Sequence, residues 1–324
     1  MDLTANTASH RDAFGAASAG VGAAAWVAAP WLPAGTPPAA GSLDHLFLFM
    51  PLVAAPLALD LLTTAWGDDG GAPSPLLGFA RVLQPAAAAL VLSSFCAPKG
   101  LAAGMLTTPW LVMALIAAAG GVTDAWRRRG FRDFEVSLVA AQVFLPIGAA
   151  WLVLWRLGIA PRHFSPLTVS LAALHFHFNG FTSQVLIGAT GRRLSRASSR
   201  LLALHRFVTV AAIAGLPLLA AGKAIPAPAL RITGVGAIAL GFIGLCVTSA
   251  AVAVAAQSAL TRHLLLASAA SAAAAVGLAC AYGVGELAGR DWIGIGRMVA
   301  THGLLMSLGF TLCGLIGHLR LRRA

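Results

Sequence analysis

Charge is what this sequence has least of: 10% of its 324 residues are Asp, Glu, Lys or Arg, against roughly 25% in an ordinary soluble domain. At 58% hydrophobic and a mean hydropathy of +0.83, the chain has no polar coat to present to water, which excludes a soluble globular fold and predicts an all-α integral membrane protein. Long polar loops are missing as well. No gap between apolar runs exceeds about 16 residues, so there is no room for a soluble catalytic domain, and residues 1–324 read as a single polytopic transmembrane domain. Walker A, GxGxxG, HExxH and GxSxG patterns are absent, leaving nucleotide-driven pumping by this chain alone and the familiar hydrolase chemistries unsupported. The four cysteines, Cys96, Cys246, Cys280 and Cys313, stand singly in apolar runs, without the spacing of a metal site or disulfide framework, and read as small packing residues. Acidic residues are half as numerous as basic ones, 11 against 22. The arginines nevertheless fall in short gaps rather than in a patch interleaved with aromatics, so no nucleic-acid partner is expected, and the charge reads as membrane topology.

What is present is a series of runs long enough to span a bilayer core, which takes about 20 residues each. Ten occur, at 13–34, 43–66, 76–97, 101–122, 133–155, 164–190, 202–222, 229–256, 263–288 and 297–319. The first resembles a signal peptide in composition, but a second run follows at once and a retained helix is expected. With ten spans, alternate loops sort the basic residues 14 to 7. The positive-inside rule then places both termini in the cytoplasm and the protein in the bacterial inner membrane as a multi-pass chain, with the lipid bilayer as its surroundings.

Ionisable groups at membrane depth are costly unless they meet a partner or a wet cavity, so each marks a candidate site. In this orientation the outer half collects Asp44, His45, Arg156, His163, His175, His177, Asn179, Glu286 and His302. Counting at 1.5 Å per residue puts His175 roughly 16 Å and His302 roughly 9 Å below the outer edge. Arg81, Gln84, Asp60 and Glu135 lie in the inner half near helix ends, where snorkelling to the interface accounts for them. His175 and Asn179, at i and i+4, share a helix face, while His177 points about 200° away from His175. Both histidines can address one ion only across a local break, for which Gly180 is the natural place. Pro51, Pro56, Pro85, Pro109, Pro146 and Pro217 interrupt spans and free carbonyls that something must satisfy. Prolines in both the second and seventh spans fit a five-plus-five inverted repeat. Gly303, Gly309 and Gly314 allow close helix approach on the tenth.

The segments LHFHFNGF at 174–181 and THGLLMSLGF at 301–310, with DHLFLFMPLVAAPLAL at 44–59, the stretch from Gln84 and Pro109-Trp110, resemble the YndJ-like family of bacterial membrane proteins. The resemblance implies a polytopic membrane fold and says little about activity. Where the family pattern has a small residue this chain has Asn179, and where it has an asparagine this chain has Met306, an exchange that suggests the two positions face one cavity.

Three functions are in view. In the first, a membrane-embedded enzyme performs acid–base chemistry (isomerisation, epoxide opening or cyclisation) on a lipophilic small molecule, with His175 and His302 as acid and base, Asn179 on a substrate oxygen, and Asp44 or Glu286 orienting a histidine. In the second, the same histidines serve a small-molecule transporter. In the third, His177 or His175 joins His302 around haem or copper.

Overall fold

The computed structural model describes residues 3–32, 37–67, 74–128, 132–161, 164–195, 199–225 and 227–323. His163 and Arg129 therefore lie outside the described residues. Within them the chain is helical throughout and forms ten long helices: α1 (Leu3–Ala28), α2 (43–67), α3 (Pro75–Phe95), α4 (Leu101–Arg128), α5 (Asp133–Leu157), α6 (166–194), α7 (Ser199–Ala224), α8 (Pro228–Val254), α9 (Ala259–Leu287) and α10 (295–323). Eight of them, all but α1 and α6, are long and apolar enough to cross a membrane. At roughly 43 Å, α6 has the length to span a bilayer but carries more polar side chains than the others.

Local chemistry sets the helix ends. Ser42, Ser165 and Ser258 accept hydrogen bonds from the backbone N–H groups of His45, Thr168 and Thr261, capping α2, α6 and α9. Pro166 sits in the first turn of α6, where its missing N–H costs nothing. Glu135 accepts from the Arg132 N–H at 2.9 Å to start α5, and Gly158, at φ 74°, ends it in the left-handed conformation that glycine adopts without strain.

The core is built around α2. Of its apolar window 94% is buried, against 28–50% for the other seven spans, so α2 is enclosed by protein while its neighbours keep a lipid-facing side. Its companions are α6 and α10. Arg192 Nη1 donates to the carbonyls of Thr64 and Ala65, Thr190 Oγ1 bonds His318 Nε2, and Arg193 Nη2 donates to the Leu321 carbonyl, each pairing residues 127 or 128 apart. At the opposite end Gly303 approaches Leu46, at about twice that spacing. The three helices therefore run in the same direction and in register. The recurrence seen is between the second, sixth and tenth helices.

Each of these three helices also contains a wide π-helical turn, at Met50–Ala54, Phe176–Thr182 and Leu305–Leu312, and the three turns pack on one another. An i→i+5 turn needs extra backbone satisfaction, and here side chains supply it. Gln84 Nε2 donates to the Pro51 carbonyl at 2.7 Å, Thr182 and Ser183 hydroxyls to the Phe178 carbonyl at 2.7 and 3.0 Å, and Ser268 Oγ to the Phe310 carbonyl at 2.8 Å. Glycines let partner helices come close enough: a Cβ on Gly22 of α1 would sit 1.8 Å from the Leu52 carbonyl oxygen, and one on Gly309 would meet Ser271.

Asp60 and Arg81 do not snorkel. They form an ion pair between α2 and α3, with Arg81 also over the Phe14 ring, and Gln84 is buried beside them. Pairing costs less there than extending either side chain along an enclosed helix to reach the interface.

Candidate functional site

The shared register brings His175 and His302 to within about one residue, roughly 1.5 Å, of the same level. Counting from the apolar runs at 164 and 297 separates them in depth, whereas the helices themselves begin at 166 and 295, level with each other in this register. His302 and Lys223 lie close enough to His175 to interact with it electrostatically. Both histidines are half-buried and held alike. His175 Nδ1 lies 2.7 Å from the Leu171 carbonyl and His302 Nδ1 2.9 Å from that of Ala275 on α9. A carbonyl only accepts, so Nδ1 carries the proton in both rings and Nε2 presents a lone pair. Among the described residues no protein group bonds either Nε2. The arrangement is two orienting backbone bonds with two basic nitrogens left over.

His177 is placed differently. It is 0% exposed, with Trp110 Nε1 donating to its Nε2 at 3.0 Å and its own Nδ1–H donating to the Ala173 carbonyl at 2.7 Å. An indole N–H can only donate, which fixes the neutral tautomer and uses both nitrogens. Phe47 stands edge-on at 5.1 Å and joins Phe95 and Trp155 in one aromatic cluster. A Cβ at Gly148 would collide with the ring, so α5 is shaped to receive it.

Asn179 lies in the wide turn of α6, half-buried, its amide without a partner among the described residues. That turn packs against the 305–312 turn that carries Met306. Gly180 lies within this turn.

The two carboxylates are held elsewhere. Asp44, half-buried at the outer end of α2, answers to Arg156 and Lys99. Glu286 is exposed and pairs with Arg231 at 3.0 Å, about 16 Å along α9 from Ala275. Neither is in position to orient a histidine, and the carbonyls of Leu171 and Ala275 do that work. Arg156 is fully engaged: it donates to Ser94 Oγ and to the Ser94 and Ala97 carbonyls, and lies 4.5 Å over the Phe95 ring. His45 stacks on Trp26 at 4.6 Å, accepts from the Gly41 N–H and donates to the Trp26 carbonyl, which ties α1 to α2.

Several groups have a place in or near the site that the sequence does not assign them. Trp110 is 67 residues from the histidine it locks, so no local pattern announces it. Gln184 and Thr311, both 0% exposed, have side-chain atoms with no partner among the described residues, as does Gln142 Oε1. Among the described residues no three His, Cys, Asp or Glu side chains converge as a metal-ligand set.

A family model described as YndJ-like protein matches residues 45–310. The chain is also 24% identical over 87 residues to a protein of Bacillus subtilis (strain 168) named "Uncharacterized membrane protein YndJ". That match takes in 27% of this chain and 16% of the relative's length. No solved structure matches. The family match runs from His45 on α2 to Phe310 in the wide turn of α10, thereby enclosing the three-helix core and both half-buried histidines, and this multi-pass membrane protein belongs to the YndJ-like family.

Proposed function

We propose that the chain is a membrane-embedded acid–base catalyst acting on a lipophilic small molecule, with both termini cytoplasmic and the site in the outer half of a bacterial inner-membrane bundle. The observation that carries this reading is the His175–His302 pair, two rings with Nδ1–H anchored on backbone carbonyls and Nε2 left to exchange a proton. One ring takes a proton from the substrate at Nε2. The anchoring carbonyl then steadies the imidazolium through its Nδ1–H. The other ring, entering the cycle protonated, returns a proton at a second position, which suits isomerisation, ring opening or cyclisation. Asn179 presents its amide to a substrate oxygen, and His177, with Trp110, holds the wide turn that carries Asn179. Glu286 belongs to the ion pair with Arg231 near the end of α9, and Asp44 stands in the field of Arg156 and Lys99.

The test compares lipid extracts from cells producing the wild type, His175→Ala or His302→Ala. A compound that is converted by the wild type should be converted at least about 100-fold more slowly by either variant, the scale of one lost general acid or base. Extracts that do not differ between wild type and the two folded variants would end this reading.

The three converging π-turns favour a second reading, a small-molecule transporter, since helix irregularities buried at membrane depth are where transporters bind and move. It predicts proton-gradient-dependent uptake of a chemically unchanged cargo in proteoliposomes, lost in the same two variants.

A further inference from the structure

We propose that the groove between α5, α6 and α7 holds a file of bound water that carries protons from the end where α5 and α7 begin towards the wide turn of α6. His205 of α7 and Gln184 of α6 are both 0% exposed. Among the described residues neither ring nitrogen of His205 and neither amide atom of Gln184 makes a hydrogen bond of good geometry, although the Ile187 carbonyl lies near the His205 ring. That carbonyl can take one N–H, which leaves the other nitrogen and the whole amide to a partner that the helices do not supply. Polar groups buried in this way are costly, and bound water is their usual partner.

The helix faces bring these groups into one line. Gly191 meets the His205 ring and Gly188 meets Leu138 of α5, and Gln184 precedes them by seven and four residues on the same face of α6. On α7, Thr209 and Ala212 share a face with His205 and with Leu216, which approaches Gly180. The two helices are antiparallel, so seven residues along each puts Ala212 beside Gln184, roughly 10 Å beyond His205. Ala141 of α5, three residues after Leu138, faces the same level, and these two buried alanines are too short to fill the space beside the amide. Between the levels Ser137 Oγ donates to Thr209 Oγ1 across the groove at 3.3 Å. Imidazole, amide and hydroxyls are neutral and offer donors as well as acceptors, which suits water rather than a cation. At one end Asp133, in an exposed ion pair with Arg206, is close enough to His205 to interact electrostatically. At the other Phe144, Phe176 and Leu216 close the groove with an apolar plug. An imidazole takes a proton at its bare nitrogen and releases the one on the other, so His205 passes a proton on and returns to neutral in the second tautomer. Only the destination of that proton rests on the reading of His175 and His302 as proton-exchanging groups.

The experiment is radiolytic hydroxyl-radical labelling of the full chain in detergent, in which bound water is the source of the radical, read by mass spectrometry. His205 and His177 are a matched pair, both 0% exposed, one facing the file and the other with both nitrogens bonded inside the protein. His205 should be oxidised several-fold faster. Ala212→Cys puts a reactive thiol beside Gln184 and should be labelled, while Ala58→Cys, in the enclosed helix α2, should not. A His205 as inert as His177 overturns the proposal, as does an Ala212→Cys thiol no more reactive than that of Ala58→Cys. Should a cysteine variant not fold, the comparison of histidines in the wild type decides. His205→Phe keeps the bulk of the ring without its nitrogens. It should lower several-fold the turnover that His175→Ala abolishes and enlarge its solvent hydrogen isotope effect, which a merely structural change would not do. Turnover and isotope effect equal to wild type overturn the proton path. Labelling needs no substrate, so failure of the acid–base reading leaves that result standing and the two are told apart.

Discussion

At the scale of single residues, three histidines on two helices take two different roles, and hydrogen-bond arithmetic separates them. His177 spends both nitrogens and is closed off; His175 and His302 spend one each. Trp110→Phe would leave His177 Nε2 buried without a donor, which costs about 1–3 kcal/mol. Thermal unfolding in detergent should show a lowered midpoint for this variant. The reading that His177 positions rather than reacts also expects His177→Asn to retain much of whatever activity His175→Ala abolishes. The sequence pattern HFHFNGF announced that these side chains matter but could not assign their roles, because Trp110 and Ala275, which decide two of them, come from other helices.

At the scale of elements, the wide turns in α2, α6 and α10 are the features least expected from a helical count. Pro51 marks one of them, since it lacks the N–H that a regular helix would use. The other two carry no proline, and their extra residue is stabilised by Thr182, Ser183 and Ser268 hydroxyls on freed carbonyls. Gln84→Leu removes the donor to the Pro51 carbonyl without opening a cavity. It should cost about 1–3 kcal/mol by leaving a buried acceptor unpaired, read as a lower midpoint of unfolding. A midpoint equal to wild type would mean that the Pro51 carbonyl finds another partner. The expected i, i+4 alignment of His175 with Asn179 rested on a regular helix and is replaced by the geometry of a wider turn.

At the scale of the whole molecule, one enclosed helix and two partners in register, surrounded by helices that keep a lipid face, explain why polar residues concentrate in α6 and why α6 is the less apolar helix. Enclosure lets it carry groups that lipid would reject. Ten helices with short connections, and basic residues sorted 14 to 7, predict that tags at the two termini are both inaccessible to a membrane-impermeant reagent added outside intact cells, while a tag in the 98–100 or 158–161 loop is accessible. Accessibility of a terminal tag would overturn that orientation.

Composition and run length alone determined that this is an all-helical membrane protein, roughly where its helices lie and which segments hold its unusual residues, because burial in lipid constrains every span in the same way along its own length. Which polar groups meet was decided only in the tertiary structure. Glu286 meets Arg231 and Asp60 meets Arg81, while His175 and His302 come level. The physical reason is the register between helices that are distant in the chain. It is set by close glycine contacts, capping arginines and matched wide turns, and no periodicity within one segment encodes it.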